Sequence, residues 1–137
     1  VTQIGQKAFH GCTNLTSIEI PNSVTQIGES SFSSCTNLTS ILISTSVTAI
    51  DIHTFDGCAN LTSIIIPNSV TQIGNEAFGG CTRLTSIEIP SSVTEIGNST
   101  FHACPGLIAV EIPNSVTSLV SIFRTCFNLR FVVAPPQ

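Results

Sequence analysis

VTQIGNEAFGGCTRLTSIEIPSS, the stretch Val70–Ser92, is one period of a chain that repeats itself every 23 residues. Val-Thr pairs open six such periods, at Val1, Val24, Val47, Val70, Val93 and Val116, within a single domain spanning 1–137. The period keeps apolar residues in fixed columns. The first turn supplies Val1, Ile4, Ala8, Phe9, Cys12, Leu15, Ile18 and Ile20, and later turns place similar residues at the same eight positions. One 23-residue turn cannot enclose eight such side chains, whereas stacked turns bury them against their neighbours in one continuous core.

Two local patterns divide each turn. Leu84-Thr85-Ser86-Ile87-Glu88-Ile89 is rich in β-branched residues, ends in alternation and is stopped by Pro90, so it reads as a short strand. Six such strands lie parallel at about 4.8 Å spacing, a sheet roughly 25–30 Å wide on the concave face. Ala77-Phe78-Gly79-Gly80-Cys81 spaces its apolar residues for a single helical or 3₁₀ turn, which predicts a short helical outer wall. Gly5, Gly28, Gly74 and Gly97 precede that turn and suggest a positive φ at the bend, with Asp51 compatible and Val120 less so. The last turn is one residue shorter between Leu119 and Phe123 and carries Phe127 and Phe131 at positions that are polar or small elsewhere. Such irregularity marks a terminal cap, with Pro135-Pro136 as a stop, and the opening in mid-pattern at Val1 predicts an N-terminus cut from a longer chain.

Ile66-Pro67-Asn68-Ser69-Val70-Thr71-Gln72-Ile73-Gly74 and Phe78-Gly79-Gly80-Cys81-Thr82-Arg83-Leu84-Thr85-Ser86-Ile87 resemble the BspA-like class of leucine-rich repeats. The likeness runs over essentially the whole chain, because the period and the Phe, Cys, Leu and Pro columns agree over at least four turns. It implies an α/β repeat, a leucine-rich-repeat solenoid of about six turns with a parallel β-sheet on the concave face and helical or 3₁₀ turns outside. It also implies a surface or secreted protein concerned with adhesion and protein binding, and neither catalysis nor a cofactor.

Composition narrows the classes further. With 42% apolar and 9% charged residues the chain folds around a substantial core. A net charge of −4 leaves no basic stripe for phosphate backbones, so nucleic acid is not an expected partner. Apolar runs such as Ile64-Ile65-Ile66 fall far short of the ~20 residues that span a bilayer, which argues against membrane insertion.

Catalytic and metal chemistry finds little footing. Cys12, Cys35, Cys58, Cys81, Cys104 and Cys126 occur once per turn in one inward column, with no C-x-x-C pair and no His at zinc-ligand spacing, so they read as small core residues. His10 and His102 share a column four turns apart, about 19 Å at strand spacing, too far to share a metal. Asp51, His53 and Asp56 lie close in sequence and read as solvated surface. No nucleophile elbow or phosphate loop is present. Asn14, Asn37, Asn60 and Asn98 head Asn-x-Thr sequons and are candidate glycosylation sites, although three of the four are produced by the repeat itself.

The site expected from sequence lies on the outward column of the strand: Glu19, Leu42, Ile65, Glu88, Glu111 and Val133. Two large apolar residues bordered by acidic ones break a pattern that is polar wherever it faces water, and Thr39, Thr62 and Thr85 flank them with hydroxyls. A protein partner, at a cell surface or in the extracellular matrix, is the expected ligand, with basic character opposite the glutamates. A structural subunit of a larger assembly, joined through the solenoid ends, is the alternative, and ice binding through ladders such as Thr2, Thr25, Thr48, Thr71, Thr94 and Thr117 a remote one.

Overall fold

The computed structural model describes residues 1–117, 121–123, 126 and 128–133. It is a solenoid of parallel strands, with five complete turns beginning at Val1, Val24, Val47, Val70 and Val93. The sixth, from Val116, falls partly outside the described residues, as do Leu119, Val120, Phe127 and Pro135-Pro136 of the expected cap.

Each turn contributes to two ladders. The Thr-x-Ile segment gives two-residue strands, β1 (Gln3–Ile4), β3 (Gln26–Ile27), β5 (Ala49–Ile50), β6 (Gln72–Ile73) and β8 (Glu95–Ile96). The Leu-x-x-Ile-x-Ile segment gives three-residue strands, β2 (Ser17–Glu19), β4 (Ser40–Leu42), β7 (Ser86–Glu88), β9 (Ala109–Glu111) and β10 (Phe131–Val133). Pairing is parallel and keeps the sequence columns in register, with Ile18 opposite Ile41 and Ile87 opposite Val110. Side chains alternate accordingly: Ile41 and Ile87 are buried while Leu42 and Glu88 are exposed.

The core is the stack of columns. Phe9, Phe32, Phe55, Phe78, Phe101 and Phe123 form one continuous pile, with ring centroids 5.2–5.9 Å apart and planes within 14° of parallel. Leu38, Leu61, Leu84 and Leu107 are fully buried beside them. Phe9, Cys12 and Leu15 of the first turn are half-buried and pack against this core.

The outer wall is not helical, and no helix occurs among the described residues. A 3₁₀ turn needs consecutive local bonds and negative φ throughout. Here the backbone alternates instead. Ala8, His10 and Cys12 donate to the carbonyls three residues back, whereas Lys7, Phe9 and Gly11 donate to Glu29, Ser31 and Ser33 of the next turn at 2.7–2.9 Å. The alternation is achieved by left-handed residues at two columns, Lys7, Ser30, His53, Glu76 and Ser99 at one and Gly11, Ser34, Gly57, Gly80 and Ala103 at the other, with φ of 52–75°. The wall is thus a ladder of tight turns.

The expected positive φ at Gly5, Gly28, Gly74 and Gly97 is also corrected, since none of them is left-handed. Their column serves close approach. A Cβ on Gly74 would lie 2.6 Å from the Ile52 nitrogen of the preceding turn, and one on Gly97 2.4 Å from that of Asn75. Asp51 is the third-turn residue of this column, and there the ladder breaks: β1 pairs β3, β5 pairs β6 and β6 pairs β8, but β3 and β5 do not pair. The other ladder divides at the same turn into β2-β4 and β7-β9-β10, and residues 62–66 form no strand. A single six-stranded sheet is therefore replaced by four short ones.

Candidate functional site

The outward strand column is where the sequence places the site. Leu42 is 57% and Ile65 79% exposed, large values for aliphatic side chains on a face whose inward neighbours Ile41, Ile43, Ile64 and Ile66 are buried. Leu42, Ile65, Glu88 and Glu111 line one groove of about 970 Å³, floored by inward isoleucines and edged by Pro67, Pro90 and Pro113. Glu88 and Glu111 are register partners, so two like charges stand one rung apart at one end of the groove. Glu19 is exposed next to Leu42 in register but outside the groove. The structure describes the backbone of Val133 opposite Glu111, and its side chain lies outside the described set.

Thr39, Thr62 and Thr85 are exposed on the same face without lining the groove. The Thr39 hydroxyl donates to the Thr16 carbonyl at 3.0 Å, and Thr25, Thr71 and Thr94 likewise donate to the preceding turn at 3.3–3.4 Å. These hydroxyls are engaged with backbone rather than arrayed freely toward water. Ile108, 43% exposed, stands where the other turns carry these threonines. Sequence reasoning missed it, although the rule that selected Leu42 and Ile65, an apolar residue in a polar column, applies to it equally.

Two sequon asparagines hold the stack together. Asn37 Nδ2 donates to the Thr13 carbonyl at 2.6 Å and Asn60 Nδ2 to that of Thr36 at 2.8 Å. The amide nitrogen a glycan would occupy is thus a cross-turn donor at these two positions, while Asn14 and Asn98 are exposed.

The six thiols are free. Their place in the core carries a polar function that the column pattern does not reveal. The S–H of Cys58 donates to the Phe32 carbonyl at 3.2 Å, and Cys35, Cys81, Cys104 and Cys126 repeat the contact at 2.9–3.3 Å. The Phe9, Phe32, Phe55 and Phe78 carbonyls already accept the N–H of their own turn's cysteine, as Phe32 does from Cys35, so there the thiol satisfies the second lone pair of the oxygen. Burial pushes the Cys58 and Cys104 thiols up to about 12 and holds Cys81 well above the ordinary thiol value. A protonated, enclosed thiol is a poor nucleophile.

On the outer wall, His53 and Asp56 are joined by Glu76 of the next turn rather than by Asp51. His53 Nδ1 lies 3.6 Å from Asp56 Oδ2 and 3.7 Å from Glu76 Oε2. Burial raises the Asp56 carboxyl above its ordinary range, against the opposing pull of His53. Glu76 was legible in principle, because it follows His53 in the same column one period later.

Parallel rungs in strict 23-residue register, a Phe stack and a Leu-x-x-Ile-x-Ile face define a leucine-rich-repeat solenoid. The chain belongs to the BspA type leucine rich repeat family, whose repeat region matches residues 2–130 in six copies. Among solved structures it is similar to a leucine rich repeat protein of T. pallidum at 34% identity and a TM-score of 0.95, covering 98% of this chain and 64% of that one. A leucine-rich repeat protein of Bacteroides ovatus matches at 34% identity and a TM-score of 0.81, covering 97% and 41%. A leucine rich cell surface protein of Faecalibacterium prausnitzii matches at 34% identity and a TM-score of 0.73, covering 100% and 30%. The chain therefore spans less than two thirds of the length of each of these proteins. No curated protein matches it. Among the described residues no helix is long and apolar enough to cross a membrane.

Proposed function

We propose that this chain is a non-enzymatic protein-binding module of a cell surface, and that it takes its partner on the strand face around Leu42 and Ile65. The observation that carries the reading is the exposure of these two adjacent aliphatic residues over a groove whose far end is acidic. An apolar centre with a polar, anionic rim is the anatomy of a protein interface, and a partner with basic side chains opposite Glu88 and Glu111 complements it. The relationship to a cell surface protein supports the location, and the leucine-rich-repeat framework, a scaffold that presents extended faces to other proteins, supports the mode.

The test is the double substitution Leu42→Ser with Ile65→Ser, measured first by circular dichroism and then by biosensor binding against an array of extracellular proteins. The expected outcome is a parental fold with affinity reduced at least tenfold for each protein that the parent captures, and weaker parental binding at raised salt. Unchanged affinity for every captured protein places the interface elsewhere and removes the proposal.

A further inference from the structure

The cluster on the outer wall is independent of the strand-face groove and has its own chemistry. His53 and Asp56 come from the third turn and Glu76 from the fourth, one donor atom each, all within 4.8 Å of one another. The distances from His53 Nδ1 to the two carboxylate oxygens, 3.6 and 3.7 Å, are too long for hydrogen bonds. Nδ1 itself is shielded from solvent and has no hydrogen-bond partner. Buried polar atoms seldom stay unsatisfied without a reason, and a bound ion is one of the recognised reasons. Two carboxylates flank that nitrogen, and no Lys or Arg pairs with them among the described residues.

The spacing fits a shared cation. Tetrahedral coordination with bonds of about 2.0–2.1 Å sets neighbouring ligand atoms about 3.4 Å apart, a few tenths of an ångström inside the two His53 distances, and the two carboxylate oxygens, within 4.8 Å of each other, close on the ion by side-chain rotation. The backbone is already committed to this arrangement. His53 is held left-handed at φ 55° by its N–H to the Asn75 carbonyl of the next turn and by the Asp56 N–H to its own carbonyl. Gly79 leaves room for the Asp56 carboxylate, since a Cβ there would sit 2.9 Å from Asp56 Oδ1. His53, Asp56 and Glu76 side chains are 35%, 38% and 44% exposed, which gives an ion access and a water for the open position.

We propose that His53, Asp56 and Glu76 bind one divalent transition-metal ion of the zinc class, with water as the remaining ligand, and that the ion staples the third turn to the fourth. One imidazole and two carboxylates suit such an ion better than calcium or magnesium, which favour oxygen ligands throughout. The staple joins two turns that the strand face ties only lightly, through one long backbone bond among the described residues, Thr85 N–H to the Thr62 carbonyl at 3.4 Å.

The test uses chelator-treated protein titrated with zinc chloride by calorimetry and with cobalt chloride by visible absorption. His53→Ser and Glu76→Ser are the informative variants, because Ser30 and Ser99 occupy the same column at φ 56° and the wall accepts serine there. The expected result is one zinc per chain, a zinc-dependent rise in melting temperature, and affinity at least tenfold weaker in each variant with the fold retained. Asp51→Asn, outside the cluster, leaves the affinity unchanged. Absence of saturable zinc binding, unchanged affinity in both variants, or a thiolate-to-cobalt charge-transfer band pointing to the cysteines would each overturn the proposal.

Discussion

The outer wall and the strand face are built from the same 23-residue period, yet they meet the third turn differently. Three backbone bonds cross each of the first four junctions on the wall, from Lys7, Phe9 and Gly11 through to Glu76, Phe78 and Gly80. Between the second and third turns, Ser30, Phe32 and Ser34 make them as elsewhere, to Ile52, Thr54 and Asp56. On the strand face no backbone ladder joins β4 to residues 62–66, and on the opposite ladder β3 does not pair with β5. The wall tolerates substitution at its left-handed columns, where Lys, Ser, His and Glu all stand. The Thr-x-Ile ladder leaves less room, because turns approach closely at the Gly column, and the ladder is unpaired at the turn where that column carries Asp51. The difference shows that the wall is the continuous spine of the solenoid and that the strand ladders are where pairing is lost.

Alkali is expected to produce the largest effect. Burial raises Cys58 and Cys104 to about 12 against 9.0 for an ordinary thiol, and raises Cys81 as well. A group whose folded pKa is raised contributes its stability fully below the unfolded pKa and loses it as pH climbs toward the folded one. Each such thiol then costs about 1.4 kcal/mol per pH unit between about 9 and 12. Cys58 and Cys104 together remove about 3 kcal/mol per unit, enough across the window to unfold a domain of ordinary stability. Circular dichroism against pH should show cooperative unfolding inside that window. A chain still folded well above pH 12 would mean that the thiol column is not enclosed.

Truncation at matched positions separates the wall from the face. Phe55→Ala, in the centre of the ring stack, should cost about 3–5 kcal/mol in chemical denaturation, whereas Ile65→Ser in the same turn should stay within about 0.5 kcal/mol of the parent. Comparable losses at the two positions would erase the distinction.

Smallest is the effect of the third-turn substitution itself. Asp51→Gly should let the second and third turns close, with slower amide exchange at Thr48 and at position 51 and a gain below about 1 kcal/mol, since the flexibility of glycine offsets part of the benefit. Gly74→Ala is the converse and should cost about 1–3 kcal/mol by forcing Cβ against the Ile52 backbone. Unaltered exchange in Asp51→Gly would show that the break has another origin.

Much of this was legible as columns. Phe9 to Phe123, Cys12 to Cys126 and the exposed pair Leu42 and Ile65 all lie where a 23-residue register puts them, because stacking turns one residue column upon another is what the repeat does. The column alone does not say which backbone property a residue serves. Gly28 and Gly74 repeat for want of space rather than for left-handed φ, and Glu76 and Ser99 occupy the left-handed column without being glycine. The wall was mistaken for a helix because Ala77-Phe78 and Cys81 carry the apolar spacing of a single turn, and that spacing is shared by alternating tight turns whose N–H groups point along the solenoid. The thiol-to-carbonyl bond was hidden for a similar reason: its partners, such as Cys58 and Phe32, stand 26 residues apart, off the period by three.

The unpaired junction gives the molecule a mechanical asymmetry. Between the second and third turns, three backbone bonds and a pair of stacked rings tie the wall side, and no backbone bond ties the two ladders opposite. Bending therefore meets least resistance when it splays the strands and leaves the wall as the pivot, like a book opening on its binding. Leu42 and Ile65 stand on the two pages. The separation of these side chains, and with it the width of the groove, is set by flexure of the whole rod, so a load applied at the ends of the solenoid is felt at its middle.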